Sequence, residues 1–118
     1  MISANVNVDE TGVDVVTANV LLRSVKVLQK TVDAPALYLQ LYNAASPTVG
    51  TTAPTMVLPI PAGLASSFAT ATYKFSANIG GINFGTALAL AVTTTHDGAT
   101  GPTAGDEPDV TIEYHPIG

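Results

Sequence analysis

The chain has 118 residues, of which 47% are hydrophobic and only 11% are charged, and its formal net charge is -5. Four basic residues against nine carboxylates disfavour nucleic-acid binding, because a net negative protein repels phosphate backbones. The absence of cysteine excludes disulfides, thiolate metal sites and a cysteine nucleophile, while the low charge favours a homo-oligomer or a repeated assembly over a free monomer.

The first 19 residues predict an N-terminal arm or a first strand, ahead of a β-sandwich domain over residues 20–118. Val6 and Val8 alternate weakly, a turn is signalled at 10–12, and a β-prone run resumes at Val13. The N-terminus has neither the basic nor the apolar region of a secretory signal, and no apolar run approaches the ~20 residues of a membrane-spanning helix. We therefore expect synthesis in the cytoplasm and no contact with a membrane.

Residues 20–32 predict a strand, although Arg23, Lys26 and Lys30 could also follow one side of a helix. The β-branched valines of this run and the missing capping box favour the strand, and Pro35 imposes an extended exit from it. We expect a hairpin between this strand and the next. The basic residues indicate either a solvated edge or an ionic contact to an acidic partner.

Residues 37–42 alternate without error, which is typical of a half-buried strand. Three leucines point to one side and need a second apolar layer, so two sheets are expected to pack face to face. The other side carries Tyr38, Gln40 and Tyr42. This stripe could anchor a protein interface or stack on sugar rings; alternatively, a neighbouring loop within residues 43–61 covers it.

The later runs complete an all-β prediction. Residues 55–61 interleave prolines with Val57, Leu58 and Ile60, which indicates an edge strand and a possible contact surface. Residues 67–77 alternate, residues 88–92 are apolar on both parities and predict a central strand, and residues 109–114 predict a terminal strand. About eight strands suit a single-domain antiparallel β-sandwich, either a jelly roll or an immunoglobulin-like fold.

The polar clusters do not form a recognisable catalytic or cofactor site. Asp97, Asp106, Glu107 and Asp109 could converge on Ca²⁺, but their spacing matches no EF-hand loop, so we expect solvated loop charges and no bound metal. His96 and the serines lack a hydrolase motif around them, and the glycines at 80–85 indicate a turn. We therefore expect no enzyme activity, no cofactor and no small-molecule ligand.

The sequences at 84–95 (FGTALALAVTTT) and 109–114 (DVTIEY), joined by a Gly- and Asp-bearing loop, resemble small virion proteins of tailed bacteriophages. A Leu-Tyr-Leu-Gln-Leu-Tyr-Asn strand with a loop of Gly, Thr and Pro at 37–54 extends the resemblance over about residues 37–115. The resemblance implies a structural virion protein on the capsid surface: a cement or decoration subunit, often a trimer, that binds the major capsid protein. Its contacts would be Tyr38, Tyr42, the arm over 2–16 and the run over 55–61.

Two other functions remain open from the sequence. A carbohydrate-binding β-sandwich of a host-recognition spike would use the tyrosine stripe and the acidic loop. A tail or neck component would have the same fold as a capsid subunit.

Overall fold

The computed structural model describes residues 2–29, 35–62, 69–75, 81–96, 98–102 and 107–117. Over these ranges the protein is all-β, with nine strands and no helix. The strands are β1 Ile2–Asn7, β2 Val13–Val16, β3 Val20–Gln29, β4 Leu37–Tyr42, β5 Met56–Ile60, β6 Ala69–Lys74, β7 Ile82–Phe84, β8 Leu88–Thr93 and β9 Asp109–Pro116.

The strands form two antiparallel sheets, which confirms the expected β-sandwich. The front sheet has the order β1-β9-β3-β6, and β7 pairs with β3 next to β6. The back sheet has the order β2-β8-β4-β5.

The pairing follows one long hairpin that is folded over on itself. β4 pairs with β5 at the tip, β3 with β6 and β7, β2 with β8, and β1 with β9. Wrapping this ribbon into two layers brings β9 against β3 and β8 against β4. This connectivity is that of a jelly roll, so it distinguishes between the two sandwich types that the sequence allows.

The core lies between the inner faces of the two sheets. The three leucines of β4 are at most 1% exposed and pack against the valines of β3 and the alternating apolar residues of β9. β8 is buried at all six positions, as predicted for a central strand. β5 is an edge strand, also as predicted.

The hairpin expected in the N-terminal third needs correction. β3 and β4 do not form a hairpin, because β3 belongs to the front sheet and β4 pairs with β5 and β8 in the back sheet. Of the two options for residues 1–19, strand formation applies: β1 pairs with β9 along its whole length, and β2 pairs with β8. Each is an edge strand of one sheet, so the segment over 2–16 belongs to the sandwich.

Gly81 fixes the point where the chain returns to β3 after leaving it at Phe75. The Phe75 N–H donates to the Arg23 carbonyl (3.1 Å). Gly81 has a φ of 131°, and a Cβ at this position would lie 2.2 Å from the Leu22 carbonyl oxygen. Only glycine fits this approach, because the φ is unfavourable for L side chains and the obstructing atom belongs to the backbone.

Candidate functional site

The outer face of the back sheet carries the predicted stripe, but two of its three side chains are inside the protein. Gln40 and Tyr42 are each 1% exposed, whereas Tyr38 is half-buried. The expectation of an exposed stripe is therefore wrong for Gln40 and Tyr42. Neither side chain has a surface that could contact a partner.

A hydrogen-bond network satisfies these two buried polar side chains. The Gln40 amide nitrogen lies within hydrogen-bond distance of Thr93 Oγ1 (3.1 Å) and of the carbonyl oxygens of His96 and Gly98 (3.2 Å each). The Tyr42 hydroxyl donates to Gln40 Oε1. Burial of polar groups is tolerated when they are paired in this way, and the network ties β4 to the segment that follows β8.

The loop over residues 43–55 covers Tyr42, as in the alternative reading of the stripe. Tyr42 lies opposite Ala89 in the neighbouring strand and packs with Ala89, Ala91 and Val49 of the loop. The two alanines are short, so the tyrosine ring and the loop can approach the sheet closely. Burial raises the pKa of the Tyr42 hydroxyl above its ordinary value.

Side-chain hydrogen bonds hold the beginning of this loop in place. Asp14 of β2 accepts hydrogen bonds from the Ser46 backbone N–H (2.8 Å) and hydroxyl (3.2 Å). Asn43 Oδ1 accepts from the Thr86 N–H at 2.8 Å. The part of the outer face around Tyr42 is thus covered by the chain itself.

Tyr38 lines an apolar groove between the edge strands β5 and β6. The groove has a volume of about 400 Å³, and Leu37, Tyr38, Pro59, Ile60 and Tyr73 contribute to its walls. The Tyr73 hydroxyl donates to the Pro59 carbonyl and so bridges the two edges; burial raises its pKa. We call this the edge groove. Its shape and walls suit a ring or an alkyl group.

His96 packs edge-on against Tyr38. The two ring centroids are 5.9 Å apart, and the ring planes are inclined by 72°. This contact orients the tyrosine ring at the mouth of the edge groove. His96 is exposed, so the ring pair is accessible to solvent.

The predicted contact residues of β5 are divided between the core and the surface. Leu58 (8% exposed) and Ile60 (1% exposed) face the core, so the expectation that they contact a partner is wrong in this fold. Val57 is half-buried on the outer side. This division follows from the period of two in a strand that packs on one face.

Arg23 and Lys26 lie in the front sheet, away from the tyrosine stripe. Arg23 is half-buried at a shift in the β3–β9 register, and Lys26 is exposed. Lys30 lies outside the described residues. The predicted contact residues therefore occupy both sheets and do not form one site.

The acidic cluster can be described only in part, because Asp97 and Asp106 lie outside the described residues. Asn7 Nδ2 is 3.0 Å from the Glu107 carbonyl oxygen and 3.3 Å from Asp109 Oδ1. These contacts join β1 to the start of β9. Within the described ranges, no three His, Asp or Glu side chains come together as a metal site.

The outer surface of the front sheet is a polar face that the sequence did not indicate as a site. Two rows of side chains that run across the strands form this surface, which we call the front face. They are Asn5, Thr111, Lys26 and Thr72, and then Ser3, Glu113, Ser24 and Lys74. Hydrogen bonds join neighbours within the rows, from Asn5 Nδ2 to Thr111 Oγ1 (3.0 Å) and from Ser24 Oγ to Glu113 Oε1 (2.7 Å). The sequence signal for this face was the polar residue at every second position of four strands. Which of these residues lie next to each other depends on the strand order, which the sequence did not show.

The chain matches no protein-family model, no curated protein sequence and no solved structure. Over the described residues there is no helix with the length and hydrophobicity needed to cross a membrane. Any functional assignment therefore depends on the surfaces described above and on the resemblance noted from the sequence.

Proposed function

We propose that the chain is a structural protein of a tailed-phage virion, a cement or decoration subunit that binds and stabilises the major capsid protein lattice. The jelly-roll sandwich supports this role, because that architecture recurs in viral capsid domains. A fold alone does not assign a function. The observation that carries the proposal is therefore the front face, a polar surface of eight residues that are all exposed or half-buried.

The front face would bind the lattice by area. Its threonine, serine and asparagine side chains offer hydrogen-bond donors and acceptors between the charged side chains of Lys26, Lys74 and Glu113. Lys26 and Lys74 are exposed and can contact acidic groups of the capsid. A stable contact of this kind covers roughly 800 Å² on each partner.

Stabilisation of the shell follows from mass action. A protein that binds the assembled lattice but not free subunits shifts the equilibrium toward assembly. The role requires no catalytic group, cofactor or nucleic acid. The resemblance adds the expectation of a trimer, with Tyr38 and Val57 as further partly exposed contacts. Arg23, which is also half-buried, is a further candidate for an ionic contact to an acidic partner.

The proposal is tested by co-sedimentation of the purified protein with capsids that lack it. Thr72→Glu places a carboxylate in the front face, and Thr51→Glu is the matched control in the exposed loop of the back sheet. We expect at least a tenfold loss of capsid affinity for Thr72→Glu and wild-type affinity for Thr51→Glu.

Each outcome has a distinct meaning. Equal binding by the two variants would refute the front face as the contact surface. If the wild-type protein does not bind capsids but co-purifies with tails or necks, the capsid role is wrong and the tail or neck role replaces it.

The edge groove favours one alternative, a carbohydrate-binding module of a host-recognition spike. Tyr38 and Tyr73 are aromatic walls of the kind that stack on sugar rings. A glycan array with wild-type protein and Tyr38→Ala, with and without EDTA, tests it. Retention of a glycan that is lost in Tyr38→Ala would support the alternative, and the EDTA arm reports whether Ca²⁺ takes part.

A further inference from the structure

Among the described residues, no strand pairs with the outer edge of β1. Over the described residues, β1 pairs only with β9, and the register is regular from Ile2 to Asn7. The strand has no charge, no proline and no bulge, which are the usual devices that prevent further strand pairing.

The ladder parity shows which backbone groups face this open edge. The Val8 N–H donates to the Pro108 carbonyl at 3.1 Å. Because bonded and non-bonded pairs alternate in an antiparallel ladder, the even-numbered residues of β1 bond to β9. The N–H and C=O groups of Ser3, Asn5 and Asn7 therefore point away from the sheet.

The other sheet edges are protected. β2 is short, and a register shift between Asp14 and Val16 interrupts it. In β5, Pro59 has no N–H to offer, and its carbonyl already accepts from Tyr73. β6 carries the exposed Lys74, and β7 has only three residues. The open edge of β1 is thus the best template for an added strand.

A second copy of β1 fits this edge. In an antiparallel pairing centred on Asn5, each Asn5 faces the other, and Ser3 faces Asn7 of the second copy. All three residues with outward backbone groups then form hydrogen-bonded pairs. Centring on Ser3 or Asn7 would leave some of these groups without a partner in β1.

The side chains also match in this register. On the core side Ala4 faces Val6 of the second copy, and Ile2 faces Val8. Ile2 is 44% exposed in one chain, so the pairing covers an exposed large hydrophobic side chain. All of the facing side chains are neutral, so the net charge of -5 places no like charges opposite each other at this contact.

We propose that two copies of the chain associate through antiparallel pairing of β1 about Asn5, which extends the front sheet across a two-fold axis. The contact is isologous and closes with two copies. The inference does not depend on the virion role. If the chain also forms the trimer expected from the resemblance, each chain of one trimer pairs with a chain of another trimer. The assembly then contains an even number of chains.

Cysteine cross-linking tests the register, because the chain has no native cysteine. In Asn5→Cys the two thiols lie directly opposite, with Cα atoms about 5.5 Å apart, which suits a disulfide. In the control Ser3→Cys the two thiols are offset by roughly 14 Å along the strands and cannot reach each other. Mild oxidation should give a covalent dimer of Asn5→Cys and leave Ser3→Cys monomeric on a denaturing gel.

Light scattering without cross-linking gives the second readout, the mass of the assembly in solution. Asn5→Pro removes an outward N–H while leaving the backbone bonds to β9 intact. Asn5→Ala is the matched control, because both variants lose the side-chain bond to Thr111 and only the proline also loses the N–H. We expect a mass that corresponds to an even number of chains for the wild type and for Asn5→Ala. Asn5→Pro should associate at least tenfold more weakly.

Several outcomes would overturn the proposal. These are a monomeric or odd-numbered wild type, equal cross-linking of the two cysteine variants, or equal masses for the proline and alanine variants. Thermal unfolding confirms that each variant is folded. A β1 edge that pairs only with a strand of another protein would give a monomer here and would also refute the second copy as occupant.

Discussion

Tyr42→Phe is the sharpest test of the network that lies beneath the loop over residues 43–55. The change removes one hydroxyl and leaves Gln40 Oε1 buried without its donor. Leaving a buried polar group unpaired costs about 1–3 kcal/mol of unfolding free energy. For a domain of this size that loss lowers Tm by roughly 4–12 °C.

The matched control is Tyr38→Phe, in the same strand. The Tyr38 side chain is only half-buried, so removing its hydroxyl should change the free energy of unfolding by less than about 0.5 kcal/mol. Urea unfolding monitored by circular dichroism measures both variants under the same conditions.

A double-mutant cycle then isolates the interaction between the two side chains. Gln40→Met keeps the length of the side chain but deprives two backbone carbonyls and the Tyr42 hydroxyl of their partner, at a cost of about 2–4 kcal/mol. The double variant should lose at least about 1 kcal/mol less than the sum of the single variants. If Tyr42→Phe is as stable as Tyr38→Phe, or if the two losses add, the network does not carry the stability that we assign to it.

Two further predictions concern backbone strain and alkaline pH. Gly81→Ala should lose at least about 2 kcal/mol of unfolding free energy, because it combines an unfavourable φ with a clash against backbone; Gly85→Ala, whose Cβ would be 3.6 Å from the nearest side-chain atom, is the control and should stay near wild type. Burial raises the pKa of Tyr42 and Tyr73, so the folded chain keeps these protons at a higher pH than the unfolded chain does. The contribution of these two tyrosines to stability should therefore be constant below the ordinary tyrosine value of about 10 and fall as the pH rises above it. Urea unfolding across this range should show a shallower fall for Tyr42→Phe, and an unchanged fall would contradict the assignment.

Sequence periodicity predicted most of the strands and the faces that they turn to the core. It missed β7, because the glycines at 80–85 indicated a turn where the structure has a strand over Ile82–Phe84. The continuous apolar run of β8 corresponds to a fully buried strand. The alternation in β4 predicted the strand and its buried leucine face, but not the burial of Gln40 and Tyr42 on its other face. Prolines likewise indicated the edge position of β5. These features follow from local geometry, because side chains in a strand alternate whatever the strand pairs with.

Periodicity did not identify the sheet in which each strand lies. β3 and β4 are consecutive and both alternate, yet they belong to different sheets. Alternation fixes which side faces the core, and in a sandwich both sheets face the same core. The adjacency of Lys26 and Thr72 in the front face depends on this strand order and was therefore not predictable.

The exposure of Tyr42 was ambiguous for a chemical reason. Tyrosine and glutamine suit a wet surface, but they also suit a buried site where each satisfies the other's polar group. The alanines of β8 were the sequence signal for burial, since small neighbours leave space for a covering loop. Recognising that signal requires knowing that β8 lies beside β4.

The folded-over hairpin also has a consequence for how the chain folds. Asn5 and Thr111 bond across a sequence separation of 106 residues, whereas the β4–β5 pair at the tip closes only the loop over 43–55. Non-local pairing of this kind places folding in the millisecond-to-second range. Each pair that forms shortens the segment that the next must close, so assembly from the tip outward has the lowest entropic cost. We expect β1 to dock last, because its partner β9 becomes available only when the rest of the ribbon is in place.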